Sequence, residues 1–325
     1  MAATQQILSG YEALTTAAGV VDRSEMGKLA LTGPDAATVL NGQVTNDVEA
    51  LAPGAGCYAA LLTNKGKMLG DLRVLSVDSP QPELLLLTER IALQALFDAL
   101  RRGAIGWQAE LHKRTLQQGL LSVIGPRARE VVGAGDPGAG DLPAAEHANR
   151  PAELGGARVL LVATDVGVDV VCAADDTPPV REALLGAGAV PVDEAAAEIV
   201  RVERGRPRYG ADLDDTTIPQ EAGLNARAVS FTKGCYVGQE TVARLHYKGK
   251  PNRHLRGLRL SGPARPGEPL RLGEREVARL GSVAESPALG PIALALVRRE
   301  AGPGDVLAVG DGAVTAAVVD LPFAR

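Results

Sequence analysis

Two segments of the chain share one order of apolar and polar positions. Leu29-Ala30-Leu31-Thr32-Gly33-Pro34-Asp35-Ala36-Ala37-Thr38-Val39-Leu40 aligns with Leu121-Ser122-Val123-Ile124-Gly125-Pro126-Arg127-Ala128-Arg129-Glu130-Val131-Val132, with Gly, Pro, Ala and Val in identical register. Alternating apolar residues ahead of the glycine predict a strand. The proline behind it suits the first position of a helix, where its missing N–H has no intrahelical partner. Two related strand-turn-helix units follow. The first continues with a strand at 59–62, a turn at Asn64-Lys65-Gly66-Lys67 and a strand at 69–77, which together read as a hairpin. Residues 84–87 read as another strand and 91–102 as an amphipathic helix. In the second unit, strands are expected at 159–163 and 166–172, and helices at 177–185 and 193–204. Asp193 and Glu194 fall near the start of the last helix, where the macrodipole favours them.

After Lys250 the texture changes to short β-compatible runs between Gly and Pro, at 255–260, 269–272, 276–284, 292–297, 305–309 and 313–320. Such spacing predicts a small barrel or sandwich. Hairpin-joined strands mixed with helices predict an α+β fold with antiparallel sheets. The expected organisation is two related α/β domains, 1–118 and 119–250, able to interweave, followed by a C-terminal β-barrel from 251 to 325. Residues 133–141 read as a loop. Within them Gly133-Ala134-Gly135-Asp136-Pro137-Gly138 fits the dinucleotide pattern G-x-G-x-x-G, but it follows a helix rather than a strand, so it fails its required context. No G-x-x-x-x-G-K-[ST] phosphate loop occurs.

At 325 residues and 33.6 kDa the chain can build two or three cores. Its net charge of -5 gives no global sign of nucleic acid or an anionic membrane. Locally, residues 244–259 carry Arg244, His246, Lys248, Lys250, Arg253, His254, Arg256 and Arg259 without an acidic residue. That stretch suits RNA or another polyanion, or else a solvated face beside a linker. The N-terminus lacks a signal-peptide pattern, and the apolar stretch 159–174 is broken by Asp165 and Asp169, so a cytoplasmic protein without a membrane span is expected. Three scattered cysteines make no disulfide scaffold. Cys57 and Cys172 border apolar runs and read as structural. With no C-x-x-C pair, a metal held by this chain alone is not expected, while a cluster shared with a partner through Cys235 stays open.

Candidate chemistry concentrates in Lys233-Gly234-Cys235-Tyr236-Val237-Gly238-Gln239-Glu240. The thiolate is the reactive form of cysteine, and the Lys233 ammonium beside Cys235 would favour it. Gly234 and Gly238 remove Cβ atoms that would hold a ligand away and permit positive φ. Upstream lies Arg201-Val202-Glu203-Arg204-Gly205-Arg206-Pro207-Arg208, then Asp212, Asp214 and Asp215. Glu203 among four arginines reads as an ionised carboxylate able to accept N–H bonds from a heterocycle, or as one member of a surface ion-pair cluster.

Taken together, these stretches resemble the YgfZ proteins of the glycine-cleavage T-protein (GcvT, aminomethyltransferase) superfamily. Residues 231–244 carry the match, with K-G-C-Y-x-G-Q-E complete and Arg244 behind it. Asp22-Arg23-Ser24, Gly33-Pro34-Asp35-Ala36, Thr45-Asn46-Asp47, Gly66 with Asp71, Arg201-x-Glu203-x-Gly205 and Ile218-Pro219-Gln220-Glu221-Ala222-Gly223-Leu224 extend it over nearly the whole chain. The resemblance implies a three-domain ring around an opening that accepts tetrahydrofolate or a derivative. It also implies a role in making or repairing iron-sulfur enzymes, including radical-SAM enzymes that thiolate tRNA, with those enzymes as partners. Cys235 would be the functional thiol and Glu203 the pterin contact. Tyr236 would stack on the pterin or pack, Asp71 would face the opening or end a hairpin, and Gln239 and Glu240 would orient the loop.

One departure bears on the choice of activity. A T-protein places its aspartate shortly after an Asn-Ala turn, whereas here the strand at 84–87 runs into Thr88-Glu89-Arg90, with no aspartate until Asp98. The leading expectation is therefore a folate-binding accessory protein in which Cys235 traps a carbon, ligates iron transiently or exchanges electrons. A folate-dependent aminomethyl or methyl transferase is the alternative. A cysteine hydrolase using His246 or His254 as base is a third reading, for which no triad signature is present.

Overall fold

The computed structural model describes residues 2–79, 82–135 and 142–324. The chain divides into two compact units. Met1–Leu62, Leu69–Ala197 and Ala228–Val237 form the first; Thr63–Met68, Glu198–Arg227 and Gly238–Arg325 form the second.

In chain order the first unit holds α1 (Ala2–Thr16), β1 (Gly19–Asp22), β2 (Gly27–Thr32), α2 (Ala36–Asn41), β3 (Gly56–Leu62), β4 (Met68–Val77), β5 (Glu83–Thr88), α3 (Leu93–Gly103) and β6 (Glu110–Lys113). It continues with β7 (Gln118–Ile124), α4 (Ala128–Gly135), β8 (Asn149–Leu154), β9 (Ala157–Thr164), β10 (Gly167–Ala173), α5 (Thr177–Gly186) and β11 (Val190–Pro191), and with the start of α6 (Glu194–Glu203). A five-stranded sheet runs β3-β4-β5-β2-β6, with β4/β5, β5/β2 and β2/β6 antiparallel. A six-stranded sheet runs β11-β1-β7-β10-β9-β8. Its β1 comes from the N-terminal segment and pairs antiparallel with β7 and parallel with β11.

The duplicated pattern folds the same way twice. Gly33 and Gly125 have φ of 103° and 129°. Each accepts a bond from the alanine three residues on, Ala36 N to Gly33 O and Ala128 N to Gly125 O, both 3.1 Å. A Cβ at either glycine would strike a backbone oxygen, Gln108 O at 2.4 Å or Ala17 O at 2.5 Å. Pro34 and Pro126 occupy the second position of these turns, where a fixed φ near -65° fits. The prolines thus precede α2 and α4 rather than opening them. Gly133 and Gly135 lie inside α4, and the remainder of the presumed loop, 136–141, lies outside the described residues.

The two sheets share a core, in which Leu75, Leu85 and Leu87 of one meet Leu120, Val162 and Val171 of the other. Burial on both sides explains why β2 and β7 read as nearly unbroken apolar runs. One ion pair crosses this layer: Arg73 Nη2 lies 2.5 Å from Asp169 Oδ2, and Ser122 Oγ donates to Asp169 Oδ1 at 2.6 Å. On the outer face of the six-stranded sheet, Val131 of α4 and Val180 and Leu184 of α5 close a second core.

The chain then forms α7 (Asn225–Ala228) and α8 (Gln239–Lys248). The second unit ends in β12 (Arg253–Leu260), β13 (Pro269–Leu272), β14 (Arg275–Arg279), β15 (Val283–Ser286), β16 (Gly290–Arg298), β17 (Val306–Val309) and β18 (Val314–Val319). They make a seven-stranded sheet in the order β14-β13-β17-β18-β12-β16-β15, curled as a half-barrel over Leu258, Leu270, Val277, Leu307 and Val318. The single run expected at 276–284 is two strands. It changes partner midway, from β13 to β16, where Gly281 N donates to Leu294 O at 2.9 Å.

Candidate functional site

The Cys235 segment belongs to the first unit and is tied down along its length. Thr45, fully buried, donates through Oγ1 to Ala228 O at 2.6 Å, and its own carbonyl accepts from Ser230 N at 3.0 Å. Val237 N donates to Gly42 O at 3.2 Å. Between these anchors the Lys233 ammonium sits in a cradle of backbone carbonyls, donating to Asn41 O, Val44 O at 2.9 Å and Asn46 O at 2.8 Å. Burial lowers its pKa to about 8, against the charge of Asp47. An ammonium has three donors, and all three are committed to the 41–46 loop. Lys233 therefore fixes the segment that carries Cys235.

Cys235 itself is free and exposed. Gly234 has an ordinary φ, and a Cβ there would meet nothing within 4 Å, so its place is open space rather than a strained turn. Gly238, with φ of 83°, caps α8, whose first turn holds Gln239 and Glu240; a carboxylate there faces the positive helix end. Tyr236 is buried, its ring under the Lys233 ammonium at 5.2 Å and its hydroxyl pushed up to about 12 by burial. Asp71, buried in β4, accepts a hydrogen bond from the Tyr58 hydroxyl, and its carbonyl accepts from Thr88 Oγ1 at 2.6 Å.

Glu203 belongs to the second unit, at the last helical position of α6. The helix ends in a Schellman motif: Arg206 N donates to Arg201 O at 3.1 Å and Gly205 N to Val202 O at 2.9 Å, with Gly205 at φ 65°. The R-x-E-x-G spacing is thus a helix end as well as a chemical pattern. Arg201 does not address Glu203. It bonds Glu198 Oε2 at 2.8 Å and Asp212 Oδ2 at 2.9 Å, and Arg208 lies 3.1 Å from Glu198. Burial opposes the charge on Arg201, but its bond to Glu198 and the Asp212 charge outweigh it and raise the pKa. Asp212 also accepts from Arg208 N and Ser282 Oγ, so this carboxylate is a structural hub. Glu203 instead accepts from the hydroxyl of Ser286. Nothing local in the sequence marks Ser282 or Ser286, which lie some eighty residues downstream.

Residues 2–233 match the GCVT N-terminal domain. The chain belongs to the GCVT family. It is 30% identical over 327 residues to an aminomethyltransferase of Rubrobacter xylanophilus, covering 98% of this chain and 86% of that protein. To an aminomethyltransferase of Thermotoga maritima it is 31% identical, covering 96% and 88%. The crystal structure of glycine cleavage system aminomethyltransferase T from Bartonella henselae shares the fold, with a TM-score of 0.85 at 24% identity over 98% of this chain and 89% of that one.

Other motif residues of this GCVT-family chain are structural. Glu221 receives Arg253 at 3.2 and 2.8 Å, and Asp214 accepts from Thr216 and Thr217. Burial resists ionisation of Asp214, yet the Thr216 and Thr217 bonds and the Arg253 charge hold its pKa down. The basic stretch is partly consumed in the same way: Arg256 pairs with Asp320 at 2.5 Å and Arg259 donates to Ala324 O at 2.6 Å. After β5 the chain passes through Thr88-Glu89-Arg90 into α3, where Asp98 accepts from Gln94 at 2.9 Å. Among the described residues no cluster of three His, Cys, Asp or Glu is placed to hold a metal, and no helix is long and apolar enough to cross a membrane.

Proposed function

We propose that this chain binds tetrahydrofolate and acts as a folate-dependent transferase of the aminomethyltransferase type. The observation that carries the reading is Glu203, a carboxylate fixed by a hydroxyl at the end of α6, in a chain whose relatives are aminomethyltransferases. A held carboxylate suits the amino and ring N–H donors of a reduced pterin, so the residues present fit the group. Tetrahydrofolate supplies the nitrogen that accepts a one-carbon unit. Glu203 would hold the pterin, and the ring and three-domain division expected from the sequence belong to this reading. Titration of the full chain with tetrahydrofolate, followed by an assay with an aminomethylated lipoyl carrier, tests it. Saturable binding with methylenetetrahydrofolate production is expected; absence of binding would sink it.

A second reading rests on Cys235. An exposed thiol on a segment anchored at both ends, together with the absence of an aspartate directly after β5, supports the YgfZ-type role in maintaining iron-sulfur enzymes, including those that thiolate tRNA. Folate binding without turnover, and a deletion strain rescued by wild type but not by Cys235→Ala, would favour it over transfer. Full rescue by the alanine variant would remove the thiol from the function.

A further inference from the structure

We propose that Ser286 is the positioning residue for Glu203, a role that rests on the folate reading above. Ser286 ends β15, is 3% exposed, and stands opposite Gly290 at the start of β16. Its hydroxyl oxygen accepts from Ala288 N at 3.1 Å and Leu289 N at 2.9 Å. Those two bonds fill both acceptor positions of a hydroxyl, which leaves one proton to donate. That proton goes to Glu203 Oε1. The turn between β15 and β16 therefore aims the hydroxyl, and the hydroxyl holds the carboxylate.

The placement of Glu203 gives this contact its meaning. A carboxylate in the last turn of a helix faces the negative end of the macrodipole, where a cation would be favoured. Local rules broken in this way gather at functional sites. A glutamate also loses rotamer freedom when it is fixed, so an anchored carboxylate meets the pterin with that cost already met. Ser286 supplies the anchor from a rigid hairpin without touching the ligand, and the effect of removing it must pass through Glu203.

Calorimetric titration of the full chain with tetrahydrofolate tests the assignment. Ser286→Ala should weaken binding about tenfold, the scale of a hydrogen bond to a charged group. Ser286→Thr, which keeps the hydroxyl, should recover most of the affinity. The double variant Ser286→Ala/Glu203→Gln should bind no more weakly than Glu203→Gln alone, because a positioning residue has nothing left to position. Should alanine unfold the hairpin, Ser286→Cys, close in size and only a weak donor and acceptor, must show a loss in the same direction. Unchanged affinity in Ser286→Ala or Ser286→Cys, or losses that multiply in the double variant, would overturn the proposal while leaving folate binding intact. A wild type that does not bind would overturn the folate reading and this proposal with it, whereas a neutral Glu203→Gln would overturn this proposal while folate binding stands.

Discussion

At the scale of single residues, the three cysteines separate by environment. Cys235 is exposed; Cys57 is half-buried, and burial pushes its thiol up to about 12 despite the opposing Lys233 charge; Cys172 is buried, with its pKa raised by burial against a hydrogen bond from Thr177. Because the thiolate is the nucleophile, brief exposure to a maleimide near neutral pH should label Cys235 alone. Peptide mass mapping reads the result, and Cys235→Ala should leave no fast label. Rapid modification of Cys57 would contradict the burial argument. The sequence made Cys235 conspicuous and assigned Lys233 to it. What it could not show is that the 41–46 loop, nearly two hundred residues earlier, offers three carbonyls to the ammonium. Adjacency along the chain does not say where a long side chain points.

At the scale of elements, two glycines of the motif regions make a controlled comparison. Gly205 closes α6 at φ 65°, and a Cβ there would meet Leu321 Cδ2 at 2.9 Å and Cβ at 3.0 Å. Gly234 has neither strain nor neighbour. Gly205→Ala should therefore cost about 1–3 kcal/mol, and Gly234→Ala should stay within about 0.5 kcal/mol, measured as urea-unfolding midpoints. Strands such as β5 and β9 were readable because continuous burial writes a continuous apolar run. α8 was not, since Val242 is its one buried residue and a single buried position leaves no helical period. The split of 276–284 was invisible for another reason: it marks a change of partner from β13 to β16, and strand pairing is tertiary. Glu203 was legible as a residue type, and its anchor was not.

At the scale of the whole molecule, buried titratable groups set how stability follows pH. Lys28 is fully buried, its amine donating to Ser24 O at 2.8 Å and Met26 O at 3.1 Å, and burial lowers its pKa from 10.5 to about 8; Lys233 is lowered equally. Between pH 8 and 10.5 the unfolded chain holds protons on both lysines that the folded chain has released. Stability rises with pH wherever the unfolded state binds more protons, by at most about 1.4 kcal/mol per pH unit for each group. Cys57 and Cys172 act oppositely above pH 9.0, the ordinary thiol value, because the folded chain keeps protons the unfolded chain loses. Tyr236 joins them above pH 10.0. The sum is a rise in unfolding free energy from about pH 8 to 9, a flattening above pH 9 and a fall beyond about pH 10.5, for these groups under the linkage relation. Urea denaturation across this range measures it, and Lys28→Met should remove about half of the initial rise. A wild-type curve that falls steadily from pH 8 would mean that both amines keep their protons in the folded chain.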